Sequence, residues 1–208
     1  MDSLRHAWDE DYRRRGRLWG ASAGNIPALC PGVRILELGC GDGSMVASLV
    51  QAGHEVTAVD FSGAAARLCH NRCAGSGRVG VLVADCRSLP FPDRSFGAVI
   101  ASHVTGHLAE KERPQLACEI FRLLDRGGLL YFREFSHGDF RYGRGRQTEA
   151  ATFLRNNGIP THYFDPGEVR QLFSCLSLRS LDQQHWEMRV RGKTYPRSEI
   201  VAEFERRF

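Results

Sequence analysis

The segment Glu37-Leu38-Gly39-Cys40-Gly41-Asp42-Gly43 sets an acid in front of glycines at alternate positions, and two more acids, Asp60 and Asp85, each close a short apolar run. Alternating glycines permit a tight turn in which backbone stands where side chains would be, so a ligand can lie against the main chain. The dinucleotide fingerprint, G-x-G-x-x-G, is spaced to seat a pyrophosphate on a helix N-terminus. Here the third glycine comes one residue early, and the Glu37 carboxylate would repel a pyrophosphate while suiting a cationic amino group. Asp60 is placed to accept the two hydroxyls of a ribose, and Asp85-Cys86 to meet an adenine amino group. A strand-end Asp often only caps the following helix. The weight therefore rests on all three acids falling in order, each at a strand end.

The elements that must hold these residues alternate between strand and helix. Strand-like runs are Val33–Leu38, Glu55–Val59, Val79–Ala84, Gly97–Ala101 and Leu129–Phe132. Helix-like stretches are Val46–Ala52, Ser62–Cys73 and Glu110–Leu124, the last with Pro114 either in its first turn or marking a late start. Near-continuous apolar strands alternating with helices predict a parallel sheet buried on both faces. Beyond the fifth strand, residues 136–161 are rich in Gly and Arg, with one short helical candidate at Thr148–Leu154. Asp165-Pro166-Gly167-Glu168 reads as a helix start, with Asp as cap, Pro at the first helical position and Glu closing the box. Leu176–Val190 and Tyr195–Phe208 can supply a closing antiparallel hairpin.

Composition bounds the class. The 208 residues are 42% hydrophobic and 25% charged, which excludes collagen-like, low-complexity and largely disordered chains. No apolar run approaches the length of a membrane span, and Met1-Asp2-Ser3-Leu4-Arg5 opens into charge, so a cytoplasmic enzyme or binding protein is expected. The seven cysteines are scattered; Cys69 and Cys73 could share a helix face, but no second pair sits nearby to complete a zinc site, so reduced thiols and no metal are expected. Net charge is +4, and apart from Lys111 and Lys193 all 28 basic residues are arginines, whose forks grip phosphate or merely solvate helix faces.

Taken together, Glu37 to Gly43, Asp60-Phe61-Ser62, Ala84-Asp85 and the Leu124-Asp125-Arg126-Gly127-Gly128 turn resemble the class I S-adenosylmethionine-dependent methyltransferases. The resemblance runs from about residue 30 to 132. It implies an α/β fold: a Rossmann-like, doubly wound, seven-stranded, mostly parallel sheet whose last strand is antiparallel, with residues 1–208 as a single domain. It further implies S-adenosyl-L-methionine as cofactor, held by Trp19, Glu37, Gly39, Cys40, Gly41, Asp60, Phe61, Asp85, Cys86 and Ser102. Residues 1–29, with Trp8-Asp9-Glu10-Asp11-Tyr12 and Leu18-Trp19-Gly20, would form a lid, with Trp19 or Tyr12 near the cofactor; ordinary packing of an N-terminal helix explains those aromatics equally well.

The later segments resemble the eukaryotic transfer-RNA 3-methylcytidine methyltransferases: Phe132-Arg133-Glu134-Phe135, Asp139-Phe140-Arg141, Phe153-Leu154-Arg155, Gly158, Tyr163-Phe164 and Tyr195-Pro196-Arg197. Glu134 stands where that family has Asp, and Asn157-Gly158-Ile159-Pro160 replaces its Asp-Gly-Thr-Arg turn. Residues 133–165 are the expected substrate-facing insertion. In it Arg133, Arg141, Arg144 and Arg146 alternate with Phe135, Phe140 and Tyr142, a mixture that can hold phosphates while stacking an unpaired base. If the acceptor is a cytosine ring nitrogen, no base is needed, and Glu134 would ease the developing charge beside Arg133. If it is a hydroxyl or thiol, His103, His107 or His137 could take its proton. A small-molecule or protein acceptor, and a non-catalytic methyltransferase-like partner subunit, remain open alternatives. The oligomeric state is not legible.

Overall fold

The structure is a computed structural model that describes residues 2–16 and 29–207. In chain order its helices are α1 (Asp2–Arg15), α2 (Ser44–Gln51), α3 (Gly63–Cys73), α4 (Arg113–Leu123) and α5 (Pro166–Leu172). Its strands are β1 (Arg34–Leu38), β2 (Glu55–Asp60), β3 (Val79–Val83), β4 (Phe96–Ser102), β5 (Leu124–Phe135), β6 (Arg146–Glu149), β7 (Thr152–Leu154), β8 (Pro160–His162), β9 (Ser177–Val190) and β10 (Lys193–Glu205).

Seven strands form one sheet in the order β3-β2-β1-β4-β5-β10-β9. β1 to β5 pair in parallel and β10 runs antiparallel to both its neighbours, as the sequence reading expects. The central strands are apolar throughout because both faces are covered. Alternation along β1 sends Ile35 into a core with Val46, Leu49 and Cys69 of α2 and α3. Leu36 and Leu38 enter the opposite core with Leu116, Ile120, Phe132, Phe164 and Phe173. Parallel pairing brings the carboxyl ends of β1 to β5 to one edge. Antiparallel pairing delivers the start of β10 there too, with Glu199 opposite Phe135 and Arg197 opposite Trp186 of β9.

Two local readings are corrected. Thr148–Leu154 is not helical: β6 and β7 run antiparallel with Ala151 at φ 51° between them, and β8 completes a small sheet. Thr152-Phe153-Leu154 is better suited to a pleated, half-buried surface than to a helix, and Phe153 packs there with the buried Phe135 and Tyr163. Glu168 also does not close a capping box. Asp165 caps α5 by accepting from the backbone N–H groups of Gly167 (2.7 Å) and Glu168 (3.0 Å), while the Glu168 carboxylate faces His162 Nε2 at 2.8 Å and Arg113 at 3.3 Å. α4 starts late, at Arg113, with Pro114 in its first turn.

Candidate functional site

A cavity of about 560 Å³ opens at the carboxyl edge of the sheet. Its walls include Glu37, Gly39, Cys40, Gly41, Asp60, Phe61, Asp85, Cys86 and Ser102, together with His103, His107 and Arg133. Trp19 lies outside the described residues. Glu134 is not among the lining residues.

The glycine turn leaves β1 with Gly41 at φ 54°, and a Cβ there would lie 2.8 Å from the Tyr12 hydroxyl, so the α1 side chain and the turn approach more closely than any other residue would permit. Asp60 latches the turn from β2: its Oδ2 accepts from Gly41 N at 2.9 Å and its Oδ1 from Ser62 N at 2.8 Å. Each carboxylate oxygen has two lone-pair directions, so these bonds leave acceptor capacity facing the cavity. Burial pushes the Asp60 carboxyl up to about 6 despite those donors. Glu37 is buried and its Oε2 has no hydrogen-bond partner among the described residues. Burial, with Cys69, Asp60 and Asp42 nearby, drives its carboxyl well above the usual range. Both features suit a cationic group arriving in the cavity, which would satisfy the orphaned oxygen and restore the anion. Asp85 is held low by its bond with Arg87, which also pairs with Glu112.

α1 covers one side of this site. Asp9 accepts from Ser62 Oγ (2.6 Å) and Ala64 N (3.0 Å) at the start of α3. Trp8 stacks beside Tyr12 and stands edge-on to His107 at 4.8 Å. Asn157, in the turn after β7, donates to Asp11 Oδ2 at 3.3 Å, tying the helix to the insertion.

The same cavity is lined by His103, just after β4, with Arg133 and Phe135 of β5, Trp186 of β9, and Arg197 and Glu199 of β10. His103 stacks on Phe135 at 4.2 Å, with Nε2 3.3 Å from Glu199 Oε1 and Nδ1 3.9 Å from Glu134 Oε2. Burial lowers its basicity. Both ring nitrogens therefore face carboxylates, an orientation unlike that of a base aimed at an acceptor. Burial lowers His107 to about 4, and its Nδ1 is 2.7 Å from the Pro160 carbonyl. His137 is exposed beside Tyr142. The Glu134 carboxyl is turned beneath the chain after β4, where Oε1 accepts from Gly106 N at 2.9 Å, and burial raises it to about 8. Among the carboxylates of β5 and β10 it is Glu199, and not Glu134, that lines the cavity. Burial opposes ionisation of Glu199, yet His103, Arg133 and Arg197 hold its carboxyl below the usual range.

Of the insertion arginines, Arg141 is committed internally: it binds both oxygens of the buried Asp139 and lies 3.9 Å over Phe135. Arg197 shares Asp139 through Nε at 2.7 Å. Arg144 and Arg146 are exposed, Arg144 lying 5.2 Å over Phe140. Sequence reasoning missed Trp186 and Glu199 and gave Arg197 no role in the site. The only signal for them was the expected closing hairpin, which does not show which of its residues reach the edge.

The doubly wound seven-stranded sheet, with a glycine turn, an orphaned acid and two further acids around one cavity, has the Rossmann-like fold that solved S-adenosylmethionine-dependent methyltransferases share. Residues 36–132, a little under half of the chain, match the model of the family described as "Methyltransferase domain". An S-adenosylmethionine-dependent methyltransferase of Methanosarcina mazei superposes with a TM-score of 0.72 at 23% identity, covering 85% of this chain and 94% of that one. The demethylmenaquinone methyltransferase of Clavibacter sepedonicus is 36% identical over 120 residues, 58% of this chain and 48% of its own length. The tRNA N(3)-cytidine methyltransferase METTL2 of Gallus gallus is 28% identical over 169 residues, 76% of this chain and 46% of its own length. The chain thus spans about half the length of these curated relatives.

Proposed function

We propose that this chain binds S-adenosylmethionine and transfers its methyl group to the ring nitrogen of a cytosine in transfer RNA. The observation that carries the substrate is the reach of the likeness: the match to the tRNA cytidine methyltransferase covers 76% of the chain, against 58% for the quinone enzyme, so more of it lies outside the 36–132 block. The chain is taken as one domain, with α1 as lid and residues 133–165 as a substrate-facing insertion, working in the cytoplasm. Among the described residues no helix is long and apolar enough to cross a membrane.

In this reading Glu37 receives the amino group of the cofactor, the Gly39–Gly41 backbone lies along its amino-acid chain, Asp60 takes the ribose hydroxyls, and Asp85 with Cys86 meets the adenine. Bound there, S-adenosylmethionine supplies an activated methyl: a ring nitrogen gives its lone pair to the new N–CH3 bond, the S–CH3 pair stays on sulfur, and the positive charge passes to the ring. The protein's part is positioning and exclusion of water, which can be worth about 7–11 kcal/mol. α1 shuts the cofactor side and Phe135, His103 and Trp186 wall the acceptor side. Exposed Arg144 and Arg146 supply phosphate contacts.

Incubation with labelled cofactor and total transfer RNA tests the proposal. Label in the RNA is expected. Tight cofactor binding with none in the RNA, and label instead in a quinone precursor, would favour a quinone acceptor, as the name of the Clavibacter sepedonicus relative suggests.

A further inference from the structure

We propose that Glu199 is the residue that selects the acceptor base, by accepting a hydrogen bond from an exocyclic amine next to the nitrogen being methylated. This rests on the cofactor and base-acceptor reading above and adds a residue that neither the sequence motifs nor the matched domain contains. Glu199 sits on β10 opposite Phe135 and is 6% exposed, yet it lines the cavity. Its charge is kept by neighbours on every side: His103 Nε2 at 3.3 Å after β4, Arg133 Nε at 3.8 Å on β5 and Arg197 at 4.0 Å on β10. The two arginine contacts are longer than hydrogen bonds, so the carboxylate retains acceptor sites for a ligand. The His103–Phe135 stack and Trp186, whose ring lies 5.3 Å from the Arg197 guanidinium, line the same cavity.

This set of groups, one anionic acceptor beside two guanidinium donors in a cavity that aromatic rings also line, matches the edge of cytosine, which offers an amine on one side of N3 and a carbonyl on the other. Uracil presents a carbonyl where the amine would be, facing a carboxylate, and carries a proton on N3. Methylation at N3 leaves the ring cationic, with the charge spread onto the amine, so the same carboxylate stabilises the product-like state. A hydrogen bond to a charged group is worth about tenfold or more in affinity.

The test measures binding of cytidine 5′-monophosphate and uridine 5′-monophosphate to the protein saturated with S-adenosylhomocysteine, alongside methylation of transfer RNA. The expected result is a preference of about tenfold for the cytidine nucleotide, reduced to near parity in Glu199→Gln, whose amide can turn to donate to uracil. A role limited to holding His103 would weaken both nucleotides together and leave their ratio unchanged. Equal binding of the two by the wild type, binding of neither, or a preference that survives Glu199→Gln overturns the assignment. Methylation of transfer RNA with any of those three results leaves the function standing and removes only Glu199. A Glu199-dependent preference without RNA methylation supports the base-reading role and removes the RNA acceptor.

Discussion

Glu37 meets the cavity with an oxygen that no described residue satisfies, in surroundings that resist its ionisation. A cationic amino group arriving there must find it charged, so ligand binding is coupled to loss of a proton. Affinity for S-adenosylhomocysteine is expected to strengthen as pH rises above the ordinary carboxylate range, by up to about tenfold per pH unit. Calorimetry in buffers of different ionisation enthalpy reads the released proton, and Glu37→Gln should abolish both the release and the slope. Glu134 makes the converse case in the empty protein. Its carboxyl is raised by burial to about 8, so the fold is favoured by its protonated form and loses that stabilisation as pH climbs through 8. Stability, read as melting temperature, should therefore fall between roughly pH 5 and 8, by up to about 1.4 kcal/mol per unit. Glu134→Gln, which can still accept from Gly106 N, should flatten it. An unchanged slope would remove Glu134 as its source.

At the scale of elements, Asp9 ties α1 to the start of α3 through Ser62 and Ala64, beside Arg5, which donates to the Phe61 carbonyl, and Tyr12, which packs on Ala64 and Ala65. Asp9→Ala removes two hydrogen bonds to a carboxylate, and each such bond is worth about 1.5–3 kcal/mol. Faster release of S-adenosylhomocysteine in stopped-flow traces, with the sheet's own melting little changed, is the expected outcome. Legibility divides along the same lines. Glu37, Gly39 and Gly41 are neighbours in sequence, and Asp60 and Asp85 each end a strand that apolar periodicity marks, so their convergence on one edge follows from parallel order alone. Glu199 reaches that edge through the antiparallel register of β10 on β5, a pairing across 64 residues that no local pattern encodes. Glu134 was misplaced for a related reason. Alternation along β5 puts Arg133 toward the cavity and Glu134 away from it, and which residue faces in depends on that register. Thr148–Leu154 was misread because so short a segment shows too few residues to separate a helical period from two strands around a turn.

At the scale of the whole molecule, the net charge of +4 is carried almost wholly by arginine, but many of these side chains are spent inside. Arg113 joins Glu149 and Glu168, Arg141 and Arg197 share Asp139, and Arg206 donates to the Phe121 and Leu124 carbonyls. What remains for phosphates is a smaller exposed set in which Arg144 and Arg146 rim the insertion. Affinity for transfer RNA should fall steeply with salt, and alanine at Arg144 or Arg146 should each lower the log–log slope by about one while weakening all sequences alike. Arg141→Ala should instead cost stability, since it leaves the buried Asp139 with one guanidinium fewer. The most direct test of the central claim is nucleoside analysis, by mass spectrometry, of transfer RNA incubated with the protein and isotopically labelled S-adenosylmethionine. The account predicts the label in 3-methylcytidine. Label confined to any other nucleoside, or none in the RNA from protein that demonstrably binds the cofactor, would contradict it.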